Sequence, residues 1–576
     1  MDDSAWSGAA RDRKVTSLGL EKNDGRLSDY DEEKSIEQVE TEDDGPKEYR
    51  TVASGGQAGD ENFSRQKSRR SLQSHRSYGG EDGYTVFSEE HQNPTISTGG
   101  KVANNDDGQL LVTWDGDSDP MNPRSMPLLR RWIVVIIVSS SSLAVTCTSS
   151  LYTSTYRQIT KEFHSSRIVA TLGLSLFVAG LGVGPMVLSP LSEFYGRRPI
   201  YIYSYLFFLI WLIPEAVAPN MATMLVGRFF DGLSGSAFLS VAGGTIGDMF
   251  TKAELSTPML VYSASPFLGP EIGPLVGGFI NQYTNWRWTF YVQLIWAAAQ
   301  LALIFFLVPE TYHPVLLRNK AKQLRKETGE PWIAPMEKMS RSIPTTVMWS
   351  CIRPFQLLIL EPMCLNLCIL SAVLLGILYL FFGAFPLVFQ NNHGFTLSQT
   401  GISFLGLFVG MILGVCSDPI WRRNYSRLVQ RREAAGGEPG GSEPEFRLPP
   451  TIYGAFLVPI GLFGFGWSTF PWVHWIVPII FSAVFGVGVI WVYSGVFTFL
   501  VDCYPLYAAS ALAANSFARS AFAAAFPLFG VQMYNRLGYQ WATSLLAFLA
   551  LAMAPFPYLF YRYGKKIRGK SQFASA

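Results

Sequence analysis

Gly269-Pro270-Glu271-Ile272-Gly273-Pro274-Leu275-Val276-Gly277-Gly278 is the stretch whose reading decides the fold. It lies inside an apolar run from roughly Pro258 to Ile280, long enough to cross a bilayer as a helix. Gly269, Gly273 and Gly277 recur at every fourth position and therefore share one helix face. A face without side chains lets another helix approach backbone to backbone, and in lipid such packing holds helices together. Pro270 and Pro274 each remove a backbone donor and bend the segment. Two readings follow: a static seam of small residues, or a smooth kinked face on which the helix slides or rocks.

The composition agrees with a membrane setting. Hydrophobic residues make up 48% of the 576 and charged residues only 16%, well under the soluble norm of about 25%. Mean hydropathy is nevertheless only +0.18, which a polar tail diluting an apolar body explains. That tail runs from Met1 to about Arg124, rich in Asp, Glu, Ser, Gly, Gln and Lys, and is expected to be disordered. It has no apolar core like that of a signal peptide, so the N-terminus is expected to stay in the cytosol. Ser68, Ser71 and Ser77, in or beside the basic run Arg65 to Arg76, are either phosphorylation sites or part of a solvated patch. The six cysteines offer neither a CxxC pair nor zinc spacing, so no disulfide framework, metal or other cofactor is expected.

After Arg130-Arg131 come twelve apolar segments, at roughly 132–153, 168–190, 199–218, 222–249, 256–280, 288–308, 362–389, 399–420, 451–469, 474–502, 508–533 and 540–561. The fold class is an all-α polytopic membrane protein with twelve transmembrane helices in two six-helix bundles. The expected units are a tail (1–124), a first bundle (131–308), a cytosolic linker (309–361), a second bundle (362–561) and a basic tail (562–576). The linker divides the spans six and six, as in a duplicated transporter, and reads as helical over Leu316 to Lys326. Arg and Lys crowd the even-numbered loops and both tails, while the opposite loops hold only Arg157, Lys161, Arg167, Arg287 and Arg536. Both termini are therefore expected in the cytosol, leaving the sequons at Asn62 and Asn424 unglycosylated.

Between spans two and three runs Ser189-Pro190-Leu191-Ser192-Glu193-Phe194-Tyr195-Gly196-Arg197-Arg198-Pro199. With the glycine stretch of span five, this resembles the major facilitator superfamily, and within it the twelve-span drug:proton antiporters found in fungi. That family's loop pattern is Gly-x-Leu-Ser/Ala-Asp-x-x-Gly-Arg-Arg/Lys; here Pro190 replaces the first Gly, and Glu193 replaces the Asp while keeping the carboxylate. Arg228-Phe-Phe-Asp231-Gly232, Asn285-Trp286-Arg287-Trp288, Pro309-Glu310-Thr311 and Phe385-Pro386 also fit. The resemblance covers Arg131 to Tyr563. It implies a secondary active transporter that exports amphipathic organic compounds, such as drugs and toxins, by proton antiport with alternating access at the plasma membrane. The alternatives are a narrower transporter of polyamines or a secreted metabolite, a vacuolar location, and a membrane sensor that transports nothing.

The candidate residues follow from these motifs. Glu193, Gly196, Arg197 and Arg198, with Asp248 at the end of span four, form either a charged latch between the two halves or an ordinary topogenic turn. The matching loop of the second half, Asp418 to Arg432, lacks the Gly-Arg-Arg ending, so any second latch there is degenerate. Ionisable residues inside spans are functional hypotheses by default. Arg228, with Asp231 three residues on, is a candidate for proton coupling or else a permanent internal ion pair. Glu271 points away from the glycines: it is a proton carrier in the cavity or a hydrated group at the outer mouth. Gly269, Pro270, Gly273, Pro274, Gly277 and Gly278 form the antiporter seam. Arg519 and Asn515, near the middle of span eleven, are cavity candidates together with Tyr379, Phe382, Trp491 and Tyr493. No GxxxxGK[ST] signature or catalytic His/Asp/Glu set occurs, so neither ATP use nor an enzyme is expected. The expected partners are the lipid bilayer, protons and a small organic substrate; no nucleic acid is expected, and the chain is expected to be monomeric.

Overall fold

A chain this apolar, placed in lipid, must satisfy its backbone polar groups internally, and helices do so within each segment. The computed structural model describes residues 110–116, 119–251, 254–338, 342–436, 442–569, 571 and 573–574. The expected tail as far as residue 109, including Ser68, Ser71, Ser77 and Asn62, lies outside the described residues. So do Lys252, Arg341 and Lys570.

Twelve long helical segments follow the order read from the sequence. They are α1 (Leu128–Leu151), α2 (Arg167–Tyr195), α3 (Arg197–Ala216), α4 (the stretches Met221–Gly235, Ala237–Ser240 and Ala242–Met249), α5 (Ser256–Tyr283) and α6 (Arg287–Leu307). The second half holds α7 (Pro362–Pro386), α8 (Leu397–Ser403 and Leu405–Cys416), α9 (Pro449–Trp467), α10 (Ile476–Cys503), α11 (Ala508–Leu537) and α12 (Tyr539–Met553, carried on by Pro555–Arg568). Among the described residues, nine helices are long and apolar enough to cross a membrane by composition; α4, α5 and α11 are not among them. These three are thinned by Gly, Pro, Ser and Ala, and they carry Arg228, Glu271 and Arg519.

Local signals fix the ends. Ser166 caps α2 by accepting from the Val169 N–H, Asn220 caps α4 by accepting from Thr223, and Thr396 with Gln399 forms a reciprocal capping box at α8. Gly196, at φ +101°, makes the sharp turn from α2 into α3, a conformation that side chains disfavour.

The two halves pack by the same rule. α1 lies on α5 as α7 lies on α11; α2 lies on α4 as α8 lies on α10; α3 lies on α6 as α9 lies on α12. Between the halves α5 meets α8 and α11 meets α2, the pairing that a duplicated six-helix unit gives. Glycines set the closest approaches. A Cβ on Gly269 would come within 2.7 Å of the Leu143 carbonyl oxygen; one on Gly273 would sit 2.7 Å from the Leu151 nitrogen; one on Gly277 would sit 3.0 Å from the Leu151 oxygen. The Gly269/Gly273/Gly277 face is thus buried against α1. On the other side of α5, Gly278 faces Leu397 of α8, and Gly401 of α8 faces Pro274.

Two expectations need correction. Residues 110–116 and 119–124, assigned to the disordered tail, are ordered. The Val112 N–H donates to the Ile333 carbonyl and the Ile333 N–H to the Leu110 carbonyl, bridging Leu111 with Ile333, and Val112 packs with Leu317, Ala321 and Ala334. Enough apolar side chains reach this segment from the linker to order it. The linker also holds two helices rather than one: His313–Thr328, and an apolar Ile343–Leu360 that packs on α2 and α11 with Phe355 against Phe517 at 5.0 Å. Pro344, Arg353 and Pro354 interrupt the apolar pattern that would have disclosed the second.

Candidate functional site

Three groups of polar residues stand out, one at the arginine-rich end of the helices, one buried toward the opposite end and one near the middle.

At the arginine-rich end, Gly196 brings the two following N–H groups onto a carboxylate. The Arg197 and Arg198 nitrogens donate to the two oxygens of Glu310, at 2.9 and 3.1 Å. The Arg197 guanidinium donates to Ser192 Oγ at 2.6 Å and to Asp248 at 3.4 Å, with the Tyr312 ring 4.6 Å away. Gly244 leaves room for it, since a Cβ there would sit 2.8 Å from Arg197 Nη2. The Arg198 side chain bonds the Phe305 carbonyl at 3.0 Å, and Glu193 is half-buried one turn before Gly196. Arg197 and Asp248 are therefore brought together as expected. The contacts just given, however, join α2, α3 and α4 to the start of the linker, all within the first half, and not one half to the other. Glu310, quoted for its motif but given no role, is the acceptor on which they converge.

The second half repeats the arrangement, but outside 418–432. Asp418 and Arg422 pair within one helix. The counterpart of the Arg197–Asp248 pair is Arg447, before α9, with Asp502 at the end of α10 (2.7 Å). Beside it, Arg568 and Glu445 form a buried two-point pair, at 2.8 and 3.0 Å. The Gly-Arg-Arg search missed both because the second half reaches the same positions without that turn sequence.

The buried group lies about two turns from the far end of α4. Arg228, wholly buried, donates to Glu215 of α3 at 3.2 Å and to the Thr148 carbonyl of α1 at 3.0 Å. Asp231 lies 3.8 Å from the same guanidinium, which rests on the Phe177 and Tyr152 rings at 4.3 and 4.8 Å. Among the described residues, Glu215 Oε1 and both Asp231 oxygens have no hydrogen-bond partner. One guanidinium thus faces two carboxylates, so the acids outnumber the base in this group. Glu215 had no role in the sequence reading. It is ionisable inside span three, so the rule that selected Arg228 also selects it.

Glu271 is 1% exposed, and neither of its oxygens has a partner among the described residues; its burial runs against the hydrated outer mouth. Tyr379 pairs with Ser149 Oγ of α1 at 3.0 Å, a hydrogen bond between the halves, and Phe382 packs edge-on against it. Tyr493 gives its hydroxyl to the Ser371 carbonyl and stacks on Phe267 at 4.7 Å, another contact between the halves. Arg519 sits over Phe497, Tyr493 and Phe267, each ring contributing about 0.5–2 kcal/mol. Asn515 is buried and bonds Cys368 Sγ at 3.7 Å. Trp491 does not belong here: it donates to Ser417 and packs on Trp421, between α8 and α10 at the arginine-rich end.

Comparison with known proteins bears on the family and the fold. A model of the Major Facilitator Superfamily matches residues 138–527. The chain is 55% identical over 493 residues to "Efflux pump atB" of Aspergillus terreus, covering 84% of this chain and 96% of that protein. It is 42% identical over 468 residues to "Probable drug/proton antiporter YHK8" of Saccharomyces cerevisiae, covering 80% and 90%. Among solved structures, the Escherichia coli transporter XylE superposes with a TM-score of 0.53 at 16% identity, over 75% of this chain and 99% of that one.

Proposed function

The chain belongs to the Major Facilitator Superfamily, and from that membership we propose that it exports amphipathic organic compounds in exchange for protons, by alternating access. The observation that carries the reading is the buried Arg228–Glu215–Asp231 group, since an antiporter needs a site whose charge changes with one proton. A proton joining a carboxylate there weakens its hold on Arg228 and lets α3 and α4 shift against α1. The relatives named as efflux pump and drug/proton antiporter support the direction and the coupling ion.

The arginine-rich end is assigned to the cytosol, with both termini there, and the protein to the plasma membrane as a monomer in lipid. Arg197, Arg198, Gly196 and Asp248, held on Glu310, keep the inner ends of the first bundle moving as one piece, and Glu193 extends this group along α2. The glycine face of α5 gives the line along which that helix stays against α1 while the bundles rock. Glu271, Tyr379, Phe382, Tyr493, Asn515 and Arg519 line the substrate path between the bundles.

The test is flux of a fluorescent amphipathic dye into inside-out vesicles carrying the full chain. Uptake should follow an imposed pH gradient and stop when a protonophore collapses it. Uptake that ignores the gradient would sink the antiport reading.

A further inference from the structure

The export reading gives Arg228 to the proton and Arg197 to the inner ends, and leaves Arg519 with no anion. Its Nε has no hydrogen-bond partner, and no ion pair to it occurs among the described residues. Its surroundings are aromatic: the ring centres of Phe497, Tyr493 and Phe267 lie 4.8, 5.4 and 5.9 Å from the guanidinium carbon. These rings are nearly parallel, Phe267 with Tyr493 at 18° and Tyr493 with Phe497 at 19°. They form a stacked cluster, a platform of ring faces and edges that attracts a cation but does not neutralise it. The Tyr493 hydroxyl is committed to Ser371, so the platform offers ring faces and no free donor. One turn before Arg519 on the same helix face, Asn515 is fully buried with its Oδ1 unpartnered.

Protein carboxylates do not supply the missing charge. Glu215 and Asp231 are held around Arg228, and Glu271 bonds nothing. A guanidinium near the middle of a membrane protein without a counter-ion is costly unless cavity water, a carbonyl or a ligand completes it, and Arg519 is partly open to such a group. We infer that Arg519 is the recognition point for an organic anion: the exported compound carries a carboxylate, or an acid group of like shape, on a flat conjugated body. This inference rests on the export reading and narrows its substrate class. The planar fork of Arg519 donates two parallel hydrogen bonds to the acid group. The flat body lies along the Phe267, Tyr493 and Phe497 rings. Phe267 belongs to the first half and the other residues to the second, so the compound is held where the halves meet and leaves as they part. The charge balance has a consequence. An anion moving out and protons moving in both carry positive charge inward, so an inside-negative potential drives this exchange harder than that of a neutral compound.

The test compares 2-naphthoate with 2-naphthamide, which share a ring system and differ in charge, by calorimetric titration of the purified full chain at pH 7. The acid should bind about tenfold tighter than the amide or better. Arg519→Gln should erase that preference while changing amide affinity by less than about threefold, and Arg519→Lys should keep part of it. Equal binding of the two probes by the unmodified protein overturns the inference without need of a variant. Equal loss of both probes in both variants also overturns it, because Arg519 then serves packing alone. Gradient-driven flux of a neutral dye with no preference for the acid would remove only the anion inference. A clear preference for the acid, with no probe moving on the gradient, would remove only the export reading.

Discussion

Asp231 carries a carboxylate that stands 3.8 Å from Arg228 and accepts no hydrogen bond. Glu215, by contrast, takes a direct bond from the same guanidinium at 3.2 Å. The two acids should therefore respond differently to removal of charge. Asp231→Asn leaves a neutral Arg228–Glu215 pair and should fold normally, yet lose the site's surplus charge. Gradient-driven flux should fall about tenfold or more, while exchange of labelled for unlabelled substrate without a gradient continues. Equal losses in both assays would point to damage of the path rather than of coupling. Glu215→Gln removes the charge of the direct partner and leaves Arg228 the Thr148 carbonyl and the longer contact with Asp231, so its melting temperature should drop as well, by less than the roughly 3–5 kcal/mol of a fully broken buried pair. Arg197→Ala, at the other end of the helices, should leave the protein in the membrane and lower flux about tenfold; unaltered flux would dismiss the role given to that cluster.

Among the helices, α5 gives the sharpest test because its neighbours are backbone atoms. A methyl group on Gly273 would meet the Leu151 nitrogen at 2.7 Å and the Cys147 oxygen at 2.9 Å, atoms that cannot turn aside. Gly273→Ala should therefore part α5 from α1, lowering both thermal stability and flux. Gly247→Ala, in α4, meets nothing within 4 Å and should be neutral or stabilise by up to about 1 kcal/mol. Should the two variants melt alike, the close approach of α5 to α1 would be in doubt. These elements were legible in sequence because period four in Gly269, Gly273 and Gly277 is a local signal, and so is the length of an apolar run. Partners brought together from distant positions were not legible. Nothing near Arg228 names Glu215, and nothing near Asp502 names Arg447. The placement of Trp491 was not legible for the same reason: an aromatic residue in a span does not tell which neighbour it faces.

At the scale of the molecule, three hydrogen bonds among the described residues join the halves from the middle of the helices toward the end away from the arginines: Ser149 with Tyr379, Ser175 with the Ala524 carbonyl (2.6 Å), and Gln282 with the Ser398 nitrogen (2.8 Å). If transport requires the halves to part there, a disulfide between Gln282→Cys and Ser398→Cys should stop flux, and a reductant should restore it. Persistent flux in the cross-linked protein would contradict the rocking motion.

The segment before α1 also ties to the linker by charge. Lys320 Nζ bonds Asp119 at 2.6 Å, Asp115 at 2.8 Å and the Thr113 carbonyl at 3.1 Å. Burial alone would raise the Asp119 carboxyl, but the bond from Lys320 and those from the Met121 and Asp115 nitrogens outweigh it and hold it below the ordinary value. Burial alone would lower Lys320, but its bonds to Asp115 and Asp119 outweigh it and hold it above the ordinary value. A depressed acid stabilises above its unfolded value and loses that contribution as pH falls through its folded one; a raised base stabilises below its unfolded value and loses that contribution as pH rises through its folded one. The tie should thus hold from about pH 4 to about pH 10 and loosen only outside that window. Limited proteolysis across that range should show constant protection of the linker, and Lys320→Ala should remove it at neutral pH.

That strand-like bridge between Leu111 and Ile333 bears on how the gene can be trimmed. A shortened version starting near residue 108 keeps the clasp intact and should purify as a single sharp peak in detergent. One starting at 126 strips Val112 and Trp114 from the apolar cluster around Leu317, and should yield polydisperse material that clips within the linker.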